Sequence, residues 1–350
     1  MNVYEAAVRR VAFIFSRFER IVISISGGKD STCLYHLALR EAERCGRRME
    51  AFFLDQEAEY QSTVDLMEEM MRHPLVIPRW YQVPIDMTNA TSHRDLFLRA
   101  WGDGEEWVRP KSEVSIHSVD GPYPQRFYDF FAWFEAQDEV PTAHLVGLRQ
   151  FESLNRHRAT RKANGYEHYA WSTACRSPGS YRFYPIYDWH FRDVWKFIAD
   201  SGVRYNRLYD LMFARSGQNI SSMRVSNLIH EHAFRCLTSL QEFEPETYDR
   251  LVRRLGGVHA AALYGAERSL YSADVLPSRF GSWREYRDHM LQTTPTEKLQ
   301  RFARRFAKQG DDELTCRWQV KQLLINDWEG RLPRLYAKRD RLREVWWKLL

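Results

Sequence analysis

The stretch IVISISGGKDS, residues 21–31, combines a strand, a glycine turn and the start of a helix. Ile21, Val22, Ile23 and Ile25 form an apolar, β-branched run of the kind that makes a buried strand. The run stops at Gly27-Gly28, and apolar residues then recur at helical spacing, with Leu34, Leu37, Ala38 and Ala42 on one face. A glycine turn between strand and helix leaves backbone N–H groups at the positive end of the helix, which suits a phosphate. Lys29 adds a mobile cation, and Ser26 and Ser31 add hydroxyl donors. The spacing excludes two common cradles. The glycines are adjacent and the lysine follows directly, so neither GxxxxGK[ST] nor GxGxxG is present.

Outward from this turn, Glu50 to Leu54 reads as a second strand ending at Asp55, which completes a βαβ unit and implies a parallel sheet. An acid at that point lies beside the edge where open α/β sheets bind nucleotides. Thr63 to Met71 is helical, and Leu75 to Ile85 supplies a third strand interrupted by Pro78. Residues 86–125 are weakly periodic and carry WVRPK at 107–111; a loop of that length is functional or mobile. Arg126 to Gln137 is an aromatic helix suited to core packing, and Ala143 to Leu148 is the fourth strand. The segment 149–182 then holds seven Lys/Arg against two Asp/Glu. Tyr181 to Tyr187 is a further strand, Asp188-Trp189 leads into a helix ending near Gly202, and residues 205–213 are helical. From about Glu246 the pattern is repeatedly helical, closing with PRLYAKRDRLREVWWKLL. The expected organisation is an α/β domain over 1–215 and a mostly helical region over 216–350.

The 350 residues are 44% hydrophobic and 14% aromatic, enough for a sizeable core. No apolar run approaches the roughly 18 residues of a membrane span, so no membrane association is expected. The opening residues carry charge where a signal peptide needs an apolar stretch. They read instead as an amphipathic helix with Val8, Val11, Ala12, Phe15 and Phe18 on one side, and a soluble intracellular protein is expected. The five cysteines contain no CxxC, which argues against a disulfide framework, a zinc site or an iron–sulfur cluster. Net charge is +5, distributed unevenly. Residues 296–350 hold 14 Lys/Arg against 8 Asp/Glu, while the rest of the chain holds 37 against 38. The basic excess is therefore C-terminal, where it could contact nucleic acid.

A triphosphate brings roughly four negative charges into one site, so its cations must come from more than one segment. Lys29 is one source, and Arg149, just past the fourth strand, is the second, with Gly147 allowing close backbone approach. Asp30 has two readings: it binds Mg²⁺ that travels with ATP, or it caps the following helix. Ser31 caps or touches phosphate. Asp188 holds metal or substrate, or caps the helix after it. His230 and His232 are spaced i,i+2 and fall on different sides of a helix, which favours structural or surface roles.

SGGKDS at 26–31 resembles the PP-loop of the ATP-pyrophosphatase superfamily, whose members grip the β,γ-pyrophosphate of ATP and cleave between the α and β phosphates. Four blocks in order, SGGKDSTCLYHLAL (26–39), AFFLDQEAEYQST (51–63), LVGLRQFESLNR (145–156) and FYPIYDWHFRDVWKFI with YNRLYDLM (183–212), resemble the phosphoadenosine-phosphosulfate-reductase-like branch. TNATS (88–92), WVRPK (107–111), SMRV (222–225) and FEPETY (243–248) resemble a narrower group, the IbrA-type proteins, often paired with a ParB-like partner and associated with phage and prophage genomes.

The resemblance implies an adenine nucleotide α-hydrolase-like (HUP-type) α/β fold, with a mostly parallel five-stranded sheet, helices on both faces and a C-terminal helical extension. It also implies ATP or a related adenine nucleotide with Mg²⁺, in a bacterial or phage-infected host cytoplasm. Carried over by residue, Ser26, Gly27, Gly28, Lys29, Asp30 and Ser31 hold the pyrophosphate, Leu54 and Asp55 lie by the adenine and ribose, and Ser24 is a further nucleotide-binding candidate. Gly147, Arg149, Ser153 and Arg156 close over the phosphates or a second substrate, while Arg109, Lys111 and Asp188 are further candidates for a second substrate. Lys29, Asp30 and Arg149 are the candidate catalytic groups. One departure matters. True sulfonucleotide reductases use a cysteine in an ECGxH setting, whereas the only late cysteine here, Cys316, lies in ELTCRWQ. The expectations are therefore an adenylating enzyme, or a nucleotide-binding regulatory module, ahead of a reductase that would depend on Cys175 or Cys316.

Overall fold

The computed structural model describes residues 2–92, 95, 97–152, 154–160, 164–216, 223, 225, 227–230, 236–264, 273–294, 296–327, 330 and 332. The chain divides into two compact units, Met1–Ile85 with Ala100–Ser226, and Asp86–Arg99 with Asn227–Leu350.

In the first unit, α1 (Val3–Arg17) begins at a capping box: the Asn2 side chain accepts from the Glu5 N–H, and the Glu5 carboxylate accepts from the Asn2 N–H. The stripe it buries is Ala7, Val11, Ile14 and Phe15, with Phe18 buried just beyond its end. Val8, expected on that face, is exposed, because the i, i+4, i+7, i+8 row through Ala7 is the one that meets the core. Next come β1 (Arg20–Ser24), α2 (Lys29–Cys45), β2 (Met49–Leu54), α3 (Gln61–Met71) and β3 (Val76–Tyr81). β4 (Ile85–Thr88) and β5 (Phe97–Ala100), which fall mostly in the second unit's Asp86–Arg99 segment, form a separate two-stranded sheet outside this unit. The remaining elements of this unit are α4 (Phe127–Ala136), β6 (Thr142–Val146), α5 (Leu154–Ala159), a 3₁₀ turn at Tyr166–His168, β7 (Ser172–Ala174), β8 (Tyr181–Phe183), α6 (Phe191–Ser201) and α7 (Leu208–Ser216).

The main sheet has the order β3-β2-β1-β6-β8-β7. β3, β2, β1, β6 and β8 are parallel, and β7 adds an antiparallel edge. The sixth strand is three residues long, too short to leave an alternation in the sequence. The third strand expected over Leu75–Ile85 is split, since β3 stops at Tyr81 and β4 starts at Ile85. Pro78 does not interrupt β3. It sits on the sheet's edge strand, opposite Ala51, where a missing N–H is tolerated.

Alternation sorts the strand residues onto two faces. Ile21, Ile23, Ala51, Phe53, Trp80, Ala143, Leu145 and Phe183 enter one core with residues of α1, α2, α3 and α6. On the other face Phe52 and Tyr81 meet Phe134 of α4 at ring distances of 4.4 and 5.9 Å. The aromatic helix is thus core packing, with Phe130 and Phe134 buried. The chain order makes β1 the turning point: β2 and β3 build outward on one side, β6 and β8 on the other. Ser24 of β1 is level with Val146 of β6, so the loops that leave these strands emerge side by side.

The second unit is helical: α8 (Leu237–Phe243), α9 (Pro245–Arg254), α10 (Val258–Tyr264), α11 (Trp283–Thr293), α12 (Thr296–Phe306) and α13 (Glu313–Leu324). Pro245 opens α9, and Ser282 and Asp312 cap α11 and α13 through their side chains. Phe302, Phe306 and Leu323 form one small core, and Ala273, Tyr286 and Val320 another. Asp86–Arg99 is tied into this unit by hydrogen bonds: the Ala90 N–H donates to the Ile229 carbonyl, and the Asn326 side chain donates to the Asn89 carbonyl. The helix expected over 333–350 lies outside the described residues.

Candidate functional site

The turn after β1 requires glycine at position 27. Gly27 has φ 68°, and a Cβ there would come within 2.6 Å of the Thr63 methyl. Gly28 caps α2 with extended backbone and no side-chain bond. The Gly28 carbonyl accepts from the Thr32 N–H, the Thr32 hydroxyl and the Ser31 hydroxyl. Ser31 Oγ in turn accepts from the Ser26 N–H at 3.3 Å and lies 3.2 Å from Ser26 Oγ. Ser31 therefore ties the turn to itself. Among the described residues, the N–H groups of Gly27, Gly28 and Asp30 have no acceptor. They are donors at the positive end of a helix.

Gly147 stands directly against this turn. A Cβ at Gly147 would lie 2.8 Å from Ser31 N, 2.9 Å from Ser31 Cα and 3.0 Å from the Asp30 carbonyl carbon. The close approach that demands glycine is to the backbone of α2. Two residues on, Arg149 is buried and donates through Nε to the Asp30 carboxylate at 2.6 Å. Lys29 is 5% exposed; its Nζ donates to the Met223 carbonyl at 3.3 Å and lies 3.7 Å from the same carboxylate. Asp30 is thus neither the helix cap nor set to hold a metal. It neutralises the two cations of the site, which sequence spacing could not show. Among the described residues no group of three or more His, Cys, Asp or Glu is placed to hold a metal ion.

The acid at the end of β2 has a different setting. Asp55 has no exposed surface, and its carboxylate accepts from Arg109 Nη2 at 2.6 Å to both oxygens, from Trp80 Nε1 and Gln82 Nε2 at 2.9 Å, and from the Glu57 N–H at 2.9 Å. Arg109 also donates to the Glu57 carbonyl at 2.6 Å. Glu57, buried and with φ 62°, accepts from the Trp101 and Val108 N–H groups. The expected roles of Asp55 toward ribose and of Arg109 toward a second substrate are replaced by internal ones. Both side chains fix the loop 100–112 onto the sheet edge. Leu54 is buried beside them, and Lys111 lies over the Trp107 ring at 4.6 Å, its ammonium pKa lowered by burial.

Asp188 is likewise corrected. Arg10 of α1 grips both its carboxylate oxygens, at 2.8 and 2.7 Å, and the cap of α6 is His190, whose N–H donates to Asp193. Arg156 pairs with Glu152 one helical turn away. Ser24 Oγ, at the end of β1, is buried with no hydrogen-bond partner among the described residues. Ser153 and His232 lie outside the described residues, and His230 is partly buried.

Sequence reading missed the residues that hold the loop from behind. The Tyr209 hydroxyl accepts from the Lys29 N–H at 3.0 Å, and Asn206 Nδ2 donates to Thr63 Oγ1 at 2.9 Å and to the Gly27 carbonyl at 3.4 Å. Their signal was the YNRLYDLM block, but a contact across 180 positions leaves no local pattern. As for thiols, burial raises the pKa of Cys316, which sits against Arg287 and the Asp311 carbonyl, and pushes Cys175 up to about 12.

A profile of the phosphoadenosine phosphosulfate reductase domain matches residues 20–261, and one of a domain of unknown function (DUF3440) matches residues 217–311. The chain is 27% identical over 323 residues to the uncharacterized protein YbdN of Escherichia coli (strain K12), covering 88% of this chain and 79% of that one. It is 25% identical over 214 residues to the uncharacterized protein MJ0066 of Methanocaldococcus jannaschii, covering 59% and 38% respectively. Among solved structures it is similar to the phosphoadenylyl-sulfate reductase of Candida auris in a phosphate complex, with 15% identity, a TM-score of 0.32 and coverage of 59% of this chain and 84% of that one. It is also similar to the FMN adenylyltransferase of Candida glabrata with FMN and an ATP analog, with 16% identity, a TM-score of 0.36 and coverage of 58% and 59%.

Proposed function

The chain belongs to the phosphoadenosine phosphosulfate reductase domain family, and from that membership we propose that it binds an adenine nucleotide on the Ser26–Ser31 loop and transfers its adenylyl group. One observation carries the reading. The N–H groups of Gly27, Gly28 and Asp30, without an acceptor among the described residues, stand at the sheet's turning point, with Lys29 and Arg149 beside them. Backbone donors at a helix N-terminus together with two cations fit a pyrophosphate better than they fit any uncharged ligand.

In this reading the β,γ-pyrophosphate of ATP competes with Asp30 for Lys29 and Arg149. An acceptor oxygen attacks the α-phosphorus and the bond to the bridging oxygen breaks. The loop N–H groups and Lys29 stabilise the charge on the departing pyrophosphate. Mg²⁺ arrives with the nucleotide. The suppressed thiols of Cys175 and Cys316 count against sulfonucleotide reduction, which needs a reactive thiolate. The test is calorimetry of the wild type and Lys29→Ala against ATP, adenylyl sulfate and phosphoadenylyl sulfate, with labelled ATP to identify the product. Tight ATP binding that the variant loses, with pyrophosphate released, is expected. Preference for a sulfonucleotide, or release of orthophosphate alone, overturns adenylation.

A regulatory role with a ParB-like protein or DNA in a phage-infected or bacterial cytoplasm is the second reading, and α12 favours it. Phe302 and Phe306 face inward while Arg301 and Arg304, with Lys308 just past the helix end, are exposed. A DNA affinity that falls steeply between 50 and 200 mM salt, and that Arg304→Glu with Lys308→Glu abolishes, supports it. Equal binding by wild type and variant excludes it.

A further inference from the structure

Tyr209 of α7 reaches across to the loop's donors. Its hydroxyl oxygen accepts from the Lys29 N–H at 3.0 Å and is 3.8 Å from where a Cβ on Gly28 would be. The backbone N–H of Val225 also faces that oxygen. Both contacts use the oxygen's lone pairs, so neither engages its proton. Among the described residues the hydroxyl proton has no acceptor, and the residue is only 2% exposed. A buried donor without an acceptor is costly, and such a group in a native site calls for a partner that arrives later. Gly28 keeps the approach to the hydroxyl clear, because it presents no side chain on that side.

We infer that Tyr209 is a binding residue of the site, its hydroxyl donating to a non-bridging oxygen of the pyrophosphate held by the loop. This rests on the pyrophosphate reading above and adds a donor to it. Tyr209 then acts alongside the first-turn N–H groups as part of the anion cradle. Asn206, bonded to Thr63 and the Gly27 carbonyl and accepting from the Leu208 N–H, sets where α7 begins and so where the hydroxyl points. Burial raises the phenol's pKa, which keeps it protonated and able to donate at neutral pH.

The experiment titrates inorganic pyrophosphate and ATP into wild type, Lys29→Ala and Tyr209→Phe by calorimetry, with thermal unfolding of each protein. The expected result is Tyr209→Phe binding pyrophosphate about 10- to 100-fold more weakly than wild type at an unchanged unfolding temperature, the loss for one hydrogen bond to a charged acceptor. Unchanged or tighter binding by Tyr209→Phe overturns the inference while leaving the pyrophosphate site intact, and tighter binding would mean the hydroxyl only occupies the ligand's place. Failure of wild type to bind pyrophosphate or ATP overturns the underlying reading itself. Should Tyr209→Phe not fold, the wild-type ultraviolet difference spectrum on adding pyrophosphate decides. A phenol band moved to longer wavelength supports the donated bond, and an unmoved band overturns it.

Discussion

Asp55 and Asp30 lie at the same edge of one sheet, beyond adjacent strands, yet they are held in opposite ways. Asp55 is fully buried and accepts from Arg109, Trp80, Gln82 and the Glu57 N–H. Asp30 keeps 14% side-chain exposure and is held by two cations, Arg149 at 2.6 Å and Lys29 at 3.7 Å. A carboxylate whose lone pairs are all filled by rigid neighbours can only serve the fold. One balanced by two cations beside unpartnered N–H groups can give those cations up when a stronger anion arrives. The difference separates architecture from binding at positions that look alike in sequence.

The comparison breaks first if Asp55 proves dispensable. Asp55→Ala leaves Arg109 buried without its counter-charge, and such a loss costs about 3–5 kcal/mol. Urea unfolding is expected to show a destabilisation of that size. Asp30→Ala also strips a counter-charge from buried Lys29 and Arg149, but added pyrophosphate should restore the stability of Asp30→Ala and not that of Asp55→Ala. Equal recovery of the two variants would erase the distinction.

The next largest effect is on affinity. Lys29→Ala should weaken pyrophosphate binding by about 1.5–3 kcal/mol, the range for a charge-assisted hydrogen bond, while leaving the urea midpoint within experimental scatter. A variant that unfolds early but binds normally would make Lys29 structural, like Arg109. Gly147→Ala sharpens the contrast from another side. Its Cβ would press on the backbone of Ser31 and Asp30 within 3.0 Å, and overpacking of that kind costs about 1–3 kcal/mol. Because the pressed atoms belong to the cradle, stability and pyrophosphate affinity should fall together, which neither aspartate variant is expected to do.

The parts of this arrangement legible in the sequence are those set by local chemistry. A β-branched run marked β1, the apolar run at 51–54 marked β2, adjacent glycines marked the turn, and Gly202 marked the end of α6, where it takes φ 59°. What stayed hidden depends on contacts between distant segments. Arg149 with Asp30, Arg109 with Asp55, and Arg10 with Asp188 join residues more than fifty positions apart, and a motif records which charges exist but not which ones neutralise each other. The glycine at 147 was legible as a point of close approach, but what approaches it is the backbone of α2.

Glu50, at the opposite end of β2 from Asp55, provides the smallest test and the one that depends on pH. Burial alone would raise its pKa, but Arg20, bonded to both carboxylate oxygens at 2.8 and 2.9 Å, and Arg79, at 2.7 Å, outweigh burial and hold it below the usual 4.5. A folded-state pKa below the unfolded one means that the stabilisation is complete above pH 4.5 and is lost as pH falls through the depressed folded value. At pH 7, Glu50→Gln should therefore be less stable than wild type by on the order of 1 kcal/mol. The gap should close in urea titrations run progressively below pH 4.5. A gap that stays constant into acid would assign the Glu50 contribution to packing, and the carboxylates of β2 would then differ in kind as well as in position.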